Sequence, residues 1–238
     1  GTVLETLKDS DPNRVYKTYD EITTTTEYLP HAFVAIEDER FYEHNGIDLQ
    51  GIIRAGAVGV MNGFKFSEGA STLTQQLIKN NVYDFVNEET FFDKVERKLQ
   101  EQYLALAFEK EMSKEQILEA YMNTINLGQG CYGVQTASAR YFNKDAADLT
   151  LSECAVIAAI TQNPTRFDPV KNPDKNAERR QKVLDNMLDQ GYVDQAAYDE
   201  AMADPVYERI VQTAAITEDT SPYSYFTDAL IEDVIQDL

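Results

Sequence analysis

The residues best suited to chemistry form an acidic cluster over residues 37–46, Glu-Asp-Glu-Arg-Phe-Tyr-Glu-His-Asn-Gly. The apolar spacing just before it predicts a short buried helix over residues 31–40. A carboxylate held in low dielectric at the end of such a helix has a raised pKa and can take a proton from a sugar hydroxyl, so at least one acidic residue of this cluster is a candidate general base. The alternative is a solvated helix end. His44 could be catalytic, but such a histidine more often holds a turn through hydrogen bonds.

A second cluster gathers hydroxyl and amide side chains over residues 69–76, where a helix is predicted to begin at Ser71. The free N–H groups and dipole of a helix N-terminus bind anions. Gln75 and Gln76 can read sugar hydroxyls or amides, and Lys79, two turns beyond Ser71, is a point charge suited to phosphate. Simple capping of a surface helix is the alternative.

Two further pairs stand four residues apart, so each pair shares one helix face. Arg97 and Glu101 lie at the edge of a predicted apolar stripe, which suggests a second site carboxylate beside a cation that neutralises phosphate. The alternative is a surface ion pair worth about 0.3–0.5 kcal/mol. Glu119 and Asn123 form the other pair, and such residues usually tie helices together.

Helical signals dominate the chain, and no alternating strand pattern of consequence occurs, so the fold is predicted to be mainly α. Capping boxes at 113–116 and 150–153 mark two helix starts. The segments predicted as helices are residues 31–40, 71–80, 92–111, 113–124, 150–163, 177–190 and 194–204. Within 92–111, Val95, Leu99, Gln102 and Leu106 predict one stripe facing the core.

Two stretches do not read as rigid core helices. Residues 1–29 are polar and rich in threonine, which predicts an extended or looped lead-in. Residues 47–66 are apolar but contain four glycines, which weaken a helix. They are interpreted as a mobile flap or a surface resting on lipid, with weak order predicted over 56–68.

Composition limits the classes of function. The 238 residues carry 21 Lys+Arg and 41 Asp+Glu, a net charge of −20, which argues against nucleic-acid binding by the whole surface. Residues 183–238 hold 13 acidic residues and one basic residue, indicating a solvated surface. Cys131 and Cys154 have apolar neighbours that favour buried thiols, although a disulfide stays open. The longest aliphatic run, residues 155–160, is too short for a bilayer, which takes about 20 residues.

Together these segments resemble the peptidoglycan glycosyltransferase domain (glycosyltransferase family 51) of class A penicillin-binding proteins. EDERFYEHNG matches the family pattern E-D-x-x-F-x-x-H-x-G, and GASTLTQQLIKN matches G-x-S-T-x-T-Q-Q-x-x-K-N. RKLQE matches R-K-x-x-E, and KEQILEAYMNTINLG matches K-x-x-I-L-E-x-Y-x-N-x-x-x-x-G. LSECAVIAAITQNPTRFDP is similar to the last such segment. The resemblance runs from about residue 30 to residue 190.

The resemblance implies a mainly α, lysozyme-like, two-lobed fold around a central cleft. It also implies a reaction in which lipid II offers its GlcNAc 4-hydroxyl to a lipid-linked MurNAc donor. Undecaprenyl pyrophosphate then leaves, and a β-1,4 bond forms with inversion. Inhibition by moenomycin, a phosphoglycolipid that mimics the donor, is a further expectation.

The family's residue roles carry over by position. Glu37 matches the base, and Glu101 matches a second glutamate near the donor pyrophosphate, where a divalent cation (Mg²⁺ or Mn²⁺) is left open. Lys79 and Arg97 would offset charge on the leaving pyrophosphate. The remaining substrate-binding residues implied are Asp38, Phe41, His44, Ser71, Thr72, Gln75, Gln76 and Asn123.

The resemblance also suggests an organisation. Residues 1–29 would lead in from a removed N-terminal membrane helix, and residues 30–215 would form the glycosyltransferase domain, with 47–68 as its mobile, membrane-facing lobe. Residues 216–238 would begin a connector to an absent transpeptidase domain. The expected partners are lipid II, its growing glycan, the membrane surface and cell-wall synthesis proteins, at the extracytoplasmic face of the cytoplasmic membrane, with no nucleic acid.

Two other functions compete with this one. A lysozyme-like hydrolase or lytic transglycosylase would cut glycan with one acidic glutamate and would not need cations for pyrophosphate. A non-catalytic module would bind lipid II or partner proteins without turnover. Lys79 and Arg97 argue against the first, and the intact Glu37 and Glu101 argue against the second.

Overall fold

The computed structural model describes residues 14–61, 71–82 and 91–210, and these residues are mainly helical. The helices are α1 (Tyr19–Ile22), α2 (Tyr28–Glu37), α3 (Leu49–Met61), α4 (Leu73–Val82), α5 (Phe91–Glu111), α6 (Lys114–Thr124), α7 (Val134–Phe142), α8 (Leu151–Ala158), α9 (Pro173–Asp189) and α10 (Gln195–Ala203). A 3₁₀ turn covers Ala146–Asp148, and residues 206–210 are also helical.

The core is built around α8, in which every residue from Leu151 to Ala158 is buried. Helix α2 packs on α8 and on α9, and α10 packs on the same two helices. Helix α4 packs on α5 and α6. The apolar run 155–160 therefore serves as a central core helix, which explains why it is hydrophobic on all sides.

A helix forms in each predicted segment, and the mainly α class is confirmed. The helix predicted over 31–40 already ends at Glu37, and the helix predicted over 150–163 ends at Ala158. Both capping boxes form, with Ser113 accepting from the Gln116 amide and Thr150 accepting from the Glu153 amide. Helix α9 begins earlier than predicted, at Pro173, because proline is preorganised for the first turn of a helix.

The lead-in differs from the prediction of an extended or looped segment. Thr18 and Glu21 form a capping box that starts the short helix α1. Its last residue, Ile22, is buried in the core. The described part of the lead-in is therefore packed against the domain.

The predicted core stripe of α5 is wrong. Val95, Leu99 and Leu106 are 41%, 62% and 41% exposed, whereas the buried positions are Glu101 and Ala105. The helix turns its charged face inward because Glu101 finds cationic partners on its own helix, and the apolar face is left outside. Periodicity located this helix correctly but assigned the wrong face to the core.

The glycine-rich stretch forms helix α3 as far as Met61. Leu49 and Ile53 on this helix are 68% and 72% exposed, as expected for a surface rather than a core element. The whole segment predicted to be weakly ordered, 56–68, and the whole connector, 216–238, lie outside the residues whose side chains are described. Along the described ranges, no helix combines the length and apolar character needed to cross a bilayer.

The pair Glu119 and Asn123 ties the lead-in to α6. The Asn123 amide accepts from the Lys17 amide at 2.9 Å and donates to the Lys17 carbonyl at 2.8 Å. Glu119 accepts from the Tyr19 amide at 2.6 Å. Asn123 is thus occupied by the chain itself, which fits support of the fold better than direct substrate contact.

Both cysteines are buried, free thiols. Burial raises the pKa of Cys131 to about 11, and it also raises the pKa of Cys154. Neither thiol is therefore an activated nucleophile.

Asn123→Ala should detach the lead-in. Each lost hydrogen bond is worth about 0.5–1.5 kcal/mol, so the free energy of unfolding should fall by about 1–3 kcal/mol. Hydrogen exchange at the Lys17 amide should accelerate at the same time. Gln100→Ala, at an exposed position of α5, is the control. Unchanged exchange at Lys17 would contradict this account.

Candidate active site

Glu37 ends helix α2 and is held by side chains from three distant parts of the chain. Its Oε1 accepts from Thr161 Oγ1 at 2.5 Å and from Arg179 Nη2 at 3.0 Å. Its Oε2 accepts from Gln76 Nε2 at 2.9 Å. The Glu37 side chain is 12% exposed. The carboxylate therefore has one fixed orientation and keeps access to solvent.

Each donor to Glu37 is itself held in place. Tyr121 Oη donates to Gln76 Oε1 at 3.3 Å, which turns the amide nitrogen of Gln76 towards Glu37. Burial raises the pKa of Tyr121, and the nearby Glu37 charge adds to this, so the phenol stays a donor. Arg179 also donates to Gln162 at 2.9 Å and lies 5.3 Å from the Phe167 ring centroid.

Asp38 and His44 form a buried turn directly after Glu37. Asp38 caps α4 by accepting from the Leu73 amide at 2.9 Å, and its carboxylate lies 2.9 Å from His44 Nε2. Gly46 N–H donates to His44 Nδ1 at 3.2 Å, so the His44 proton lies on Nε2 and points to Asp38. His44 holds the turn, as its structural interpretation predicted.

Gly46 brings this turn against α4 and α5. Its φ is +90°, and a Cβ there would lie 2.5 Å from the Ala105 carbonyl oxygen. Its carbonyl accepts from Thr72 Oγ1 at 2.8 Å and from Gln75 Nε2 at 3.3 Å. Thr72 and Gln75 are buried by these contacts.

Phe41 supports the turn from inside, where it is fully buried. The Lys114 ammonium lies 4.3 Å from the Phe41 ring centroid, a distance suited to a cation–π contact. Lys114 also donates to the His44 carbonyl at 2.8 Å and to Glu109 at 2.5 Å. Phe41 thus shapes the loop around Glu37, as the resemblance implied.

A second cluster surrounds Glu101, whose side chain is 1% exposed. Arg97 forms the predicted ion pair with one oxygen, and Lys98 Nζ lies 3.2 Å from the other. Lys98 also donates to Ser71 Oγ at 2.7 Å and to Gln75 Oε1 at 2.8 Å. Two cations thus accompany one carboxylate.

Helix α4 connects the two clusters. Its adjacent residues Gln75 and Gln76 point to Lys98 and to Glu37 respectively. Lys79 lies exposed in the last turn of the same helix. The helix therefore joins the candidate base to the cations that would meet an anionic donor.

A small cavity lies beside Glu37. Its lining residues are Glu37, Asp38, Glu39, Arg40, Asp48, Gly51, Arg54, Ser71 and Thr72. A larger groove between the start of α8 and α10 contains none of the predicted site residues. The chemistry thus concentrates at the smaller cavity.

Four residues of this site escaped prediction: Lys98, Thr161, Gln162 and Arg179. Lys98 lies inside the RKLQE segment and stands three residues before Glu101, so its helical spacing was a usable signal. Thr161 and Arg179 reach Glu37 only through folding, since they are 124 and 142 residues away from it, and Gln162 joins the site by accepting from Arg179. No local pattern marks them.

A divalent cation near Glu101 would need several oxygen, nitrogen or sulfur ligands that converge on one point. Among the described residues, no group of three or more His, Cys, Asp or Glu side chains is placed to hold a metal ion. Glu101 already faces Arg97 and Lys98, which suit an anion such as pyrophosphate. These side chains do not form a metal site by themselves, and the mechanism proposed below uses none.

The structure thus combines, on a mainly helical fold, a carboxylate held at Glu37 and a separate cationic cluster at Glu101. The family model described as transglycosylase matches residues 1–188. The chain is 43% identical over 219 residues to penicillin-binding protein 1A of Clostridium botulinum (strain Hall), covering 88% of this chain and 26% of that protein.

It is also 42% identical over 193 residues to penicillin-binding protein 1F of Bacillus subtilis, covering 79% of this chain and 26% of that protein. A crystal structure of penicillin-binding protein 1A from Haemophilus influenzae aligns with a TM-score of 0.48 and 24% identity, over 82% of this chain and 18% of that one.

The chain therefore belongs to the transglycosylase family, as a peptidoglycan glycosyltransferase domain of the class A penicillin-binding protein type. The described helices confirm the mainly α class expected from the resemblance. The chain spans about a quarter of the length of the curated relatives it matches. What the full-length proteins do beyond this domain does not transfer to it directly.

Gly46→Ala should unfold the turn behind Glu37. The strain of positive φ and the overlap with Ala105 together should lower the free energy of unfolding by about 3 kcal/mol or more. Gly130→Ala is the matched control, because its φ is +73° but a Cβ there meets nothing within 4 Å. Urea titration should show the larger loss at Gly46, and equal losses would contradict the packing argument.

Proposed function

We propose that this domain polymerises lipid II, with Glu37 as general base and the Glu101 cluster binding the donor pyrophosphate. The observation that carries the proposal is the Glu37 carboxylate, fixed by Thr161, Gln76 and Arg179 at the edge of a cavity. Every hydrogen bond described for this carboxylate is one it accepts. Such a group is preorganised to accept a proton from a nearby hydroxyl.

The proposed reaction transfers the donor sugar to the acceptor 4-hydroxyl in one displacement. The acceptor 4-hydroxyl loses its proton to Glu37, and its oxygen attacks the anomeric carbon of the lipid-linked MurNAc donor. The bond from that carbon to the pyrophosphate oxygen breaks, and its electron pair leaves with the undecaprenyl pyrophosphate. Attack and departure on opposite faces produce the inverted β-1,4 bond.

The leaving group needs positive charge where its negative charge grows. Lys98 and Arg97 are held beside Glu101, and Lys79 lies farther along α4. Glu101 orients the two cations of α5 while it partly offsets their charge. The site can thus bind a dianion without carrying a large unbalanced charge when it is empty.

This arrangement favours transfer over glycan hydrolysis. A hydrolase of the lysozyme type requires a carboxylic acid that donates a proton to the leaving oxygen. Here Glu37 accepts from a guanidinium, a hydroxyl and an amide, and two further cations, Arg97 and Lys98, lie at the second carboxylate. A lipid II binding module without turnover would not need a carboxylate fixed in this way.

A lipid-linked substrate requires a surface that meets the bilayer, and α3 and α5 supply the candidate. Leu49 and Ile53 on α3 and Leu99 and Tyr103 on α5 are all more than half exposed. Leu49 and Leu106 line one groove, so the apolar faces of the two helices are continuous. We infer that this surface contacts the membrane. We also propose that the domain lies at the extracytoplasmic face and works with cell-wall synthesis proteins.

Glu37→Gln should abolish polymerisation. Loss of a positioned general base costs about 10²–10⁴-fold in rate. The assay uses labelled lipid II in detergent, with glycan strands separated on a gel. Glu111→Gln, an exposed position at the end of α5, is the matched control. A variant that still polymerises would remove Glu37 as base, and retained moenomycin binding would show that the site is folded.

Leu99→Glu should weaken membrane attachment. Burying a leucine side chain contributes about 1.5–3 kcal/mol, so vesicle binding should fall at least tenfold. Sedimentation with phosphatidylglycerol vesicles measures this, and Gln100→Glu adds the same charge on the neighbouring exposed position. If both variants bind equally well, α5 does not face the bilayer.

A further inference from the structure

The residues that follow Glu37 connect it to two neighbouring helices, α4 and α3, through side-chain contacts. Asp38 caps α4 through the Leu73 amide. Arg40 holds Asp48, the residue that precedes α3, with Nη2 to Oδ2 at 2.5 Å and Nε to Oδ1 at 3.2 Å. Two residues of the turn that follows α2, Asp38 and Arg40, thus connect α2 to the starts of α4 and α3.

The Arg40–Asp48 pair also starts helix α3. Asp48 Oδ1 accepts from the Gly51 amide at 2.9 Å, as an N-cap residue does. The two side chains are only 16% and 14% exposed, so solvent screens the pair little. Burial acts to raise the pKa of Asp48, whereas hydrogen bonds from Arg40 and the Gly51 amide lower it, and the net shift is downward.

Gly51 leaves room for this pair. A Cβ at position 51 would overlap Asp48 Oδ2 and lie 3.1 Å from Arg40 Nη2. The absence of a side chain therefore lets the ion pair lie directly on the first turn of α3. A second, exposed pair joins Glu39 to Arg54 at 3.1 Å and repeats the connection one turn along.

These residues form one wall of the cavity beside Glu37, and Ser71 and Thr72 contribute to its other side. The wall is carried by α3, the helix whose Leu49 and Ile53 are exposed. The position of that wall relative to the base therefore depends on the Arg40–Asp48 pair.

We propose that Arg40, paired with Asp48 over Gly51, is a positioning residue that sets the cavity wall on α3 against Glu37. The proposal rests on the proposed function, because the geometry it controls is that of the acceptor hydroxyl at the base. Arg40 acts through Asp48 and α3 and does not itself touch the reacting atoms. The exposed Glu39–Arg54 pair contributes less, because surface ion pairs are weak.

Gly51→Ala is the most informative variant. Alanine is favoured over glycine within a helix, which offsets the stability lost when the Asp48 cap is disturbed, so the melting temperature should change little. The added methyl group displaces the Asp48 carboxylate from Arg40, and a misplacement of about 1 Å can cost on the order of 100-fold in rate. We expect at least a tenfold lower kcat, with KM for lipid II changed less than threefold.

Asp48→Asn removes the charge of the ion pair but keeps the helix cap, because asparagine caps a helix as well as aspartate does. This variant should reduce kcat in the same way. The kcat of Arg40→Lys should lie between those of Asp48→Asn and the wild type, since lysine cannot donate to both carboxylate oxygens as the arginine guanidinium does. Gln50→Ala, exposed on the same turn, is the matched control. Moenomycin mimics the donor, so its affinity reports binding at the Glu101 cluster. This affinity should stay within twofold of the wild type in all four variants.

The outcomes separate the two hypotheses. If Gly51→Ala and Asp48→Asn polymerise within twofold of the wild type, the positioning role is wrong and the proposed function stands. Loss of kcat together with an equal loss of moenomycin affinity and melting temperature would also overturn it, because that pattern is general unfolding. A folded wild type that makes no polymer would contradict the proposed function itself.

Discussion

The Asp38 carboxylate is the interaction on which the site depends. It lies one residue after the candidate base, accepts from the first amide of α4 and faces the protonated nitrogen of His44. Because these bonds are made in the buried interior, they fix the start of α4 relative to the end of α2. Gln75 and Gln76 then reach the Lys98 cluster and Glu37 without further adjustment.

Charge burial explains the orientation of α5. An isolated buried carboxylate is costly, so Glu101 enters the interior only with Arg97 and Lys98 beside it. Turning these residues inward forces Leu99 and Tyr103 outward. The same rotation thus gathers two cations beside Glu101 and leaves an apolar surface outside, two features that the proposed lipid-linked donor would require together.

Sequence reasoning succeeded where the signal was local. The capping boxes at Ser113 and Thr150 form as predicted, and the ion pair between Arg97 and Glu101 follows from their spacing. It failed for the face of α5, because hydrophobic periodicity assumes that the apolar stripe is buried in protein. That assumption does not hold for a helix whose apolar face is left exposed and whose charged face is the functional one.

By itself the sequence determined the helical class and the order of the motifs, and it singled out Glu37 and Glu101 as the two candidate carboxylates. These depend on residue type and short spacing, which a linear chain displays directly. Only the tertiary structure brought Thr161 and Arg179 to Glu37, across 124 and 142 residues. Only the tertiary structure showed that Arg40 pairs with Asp48 at the start of α3. Contacts of this kind depend on how helices pack, which no local pattern encodes.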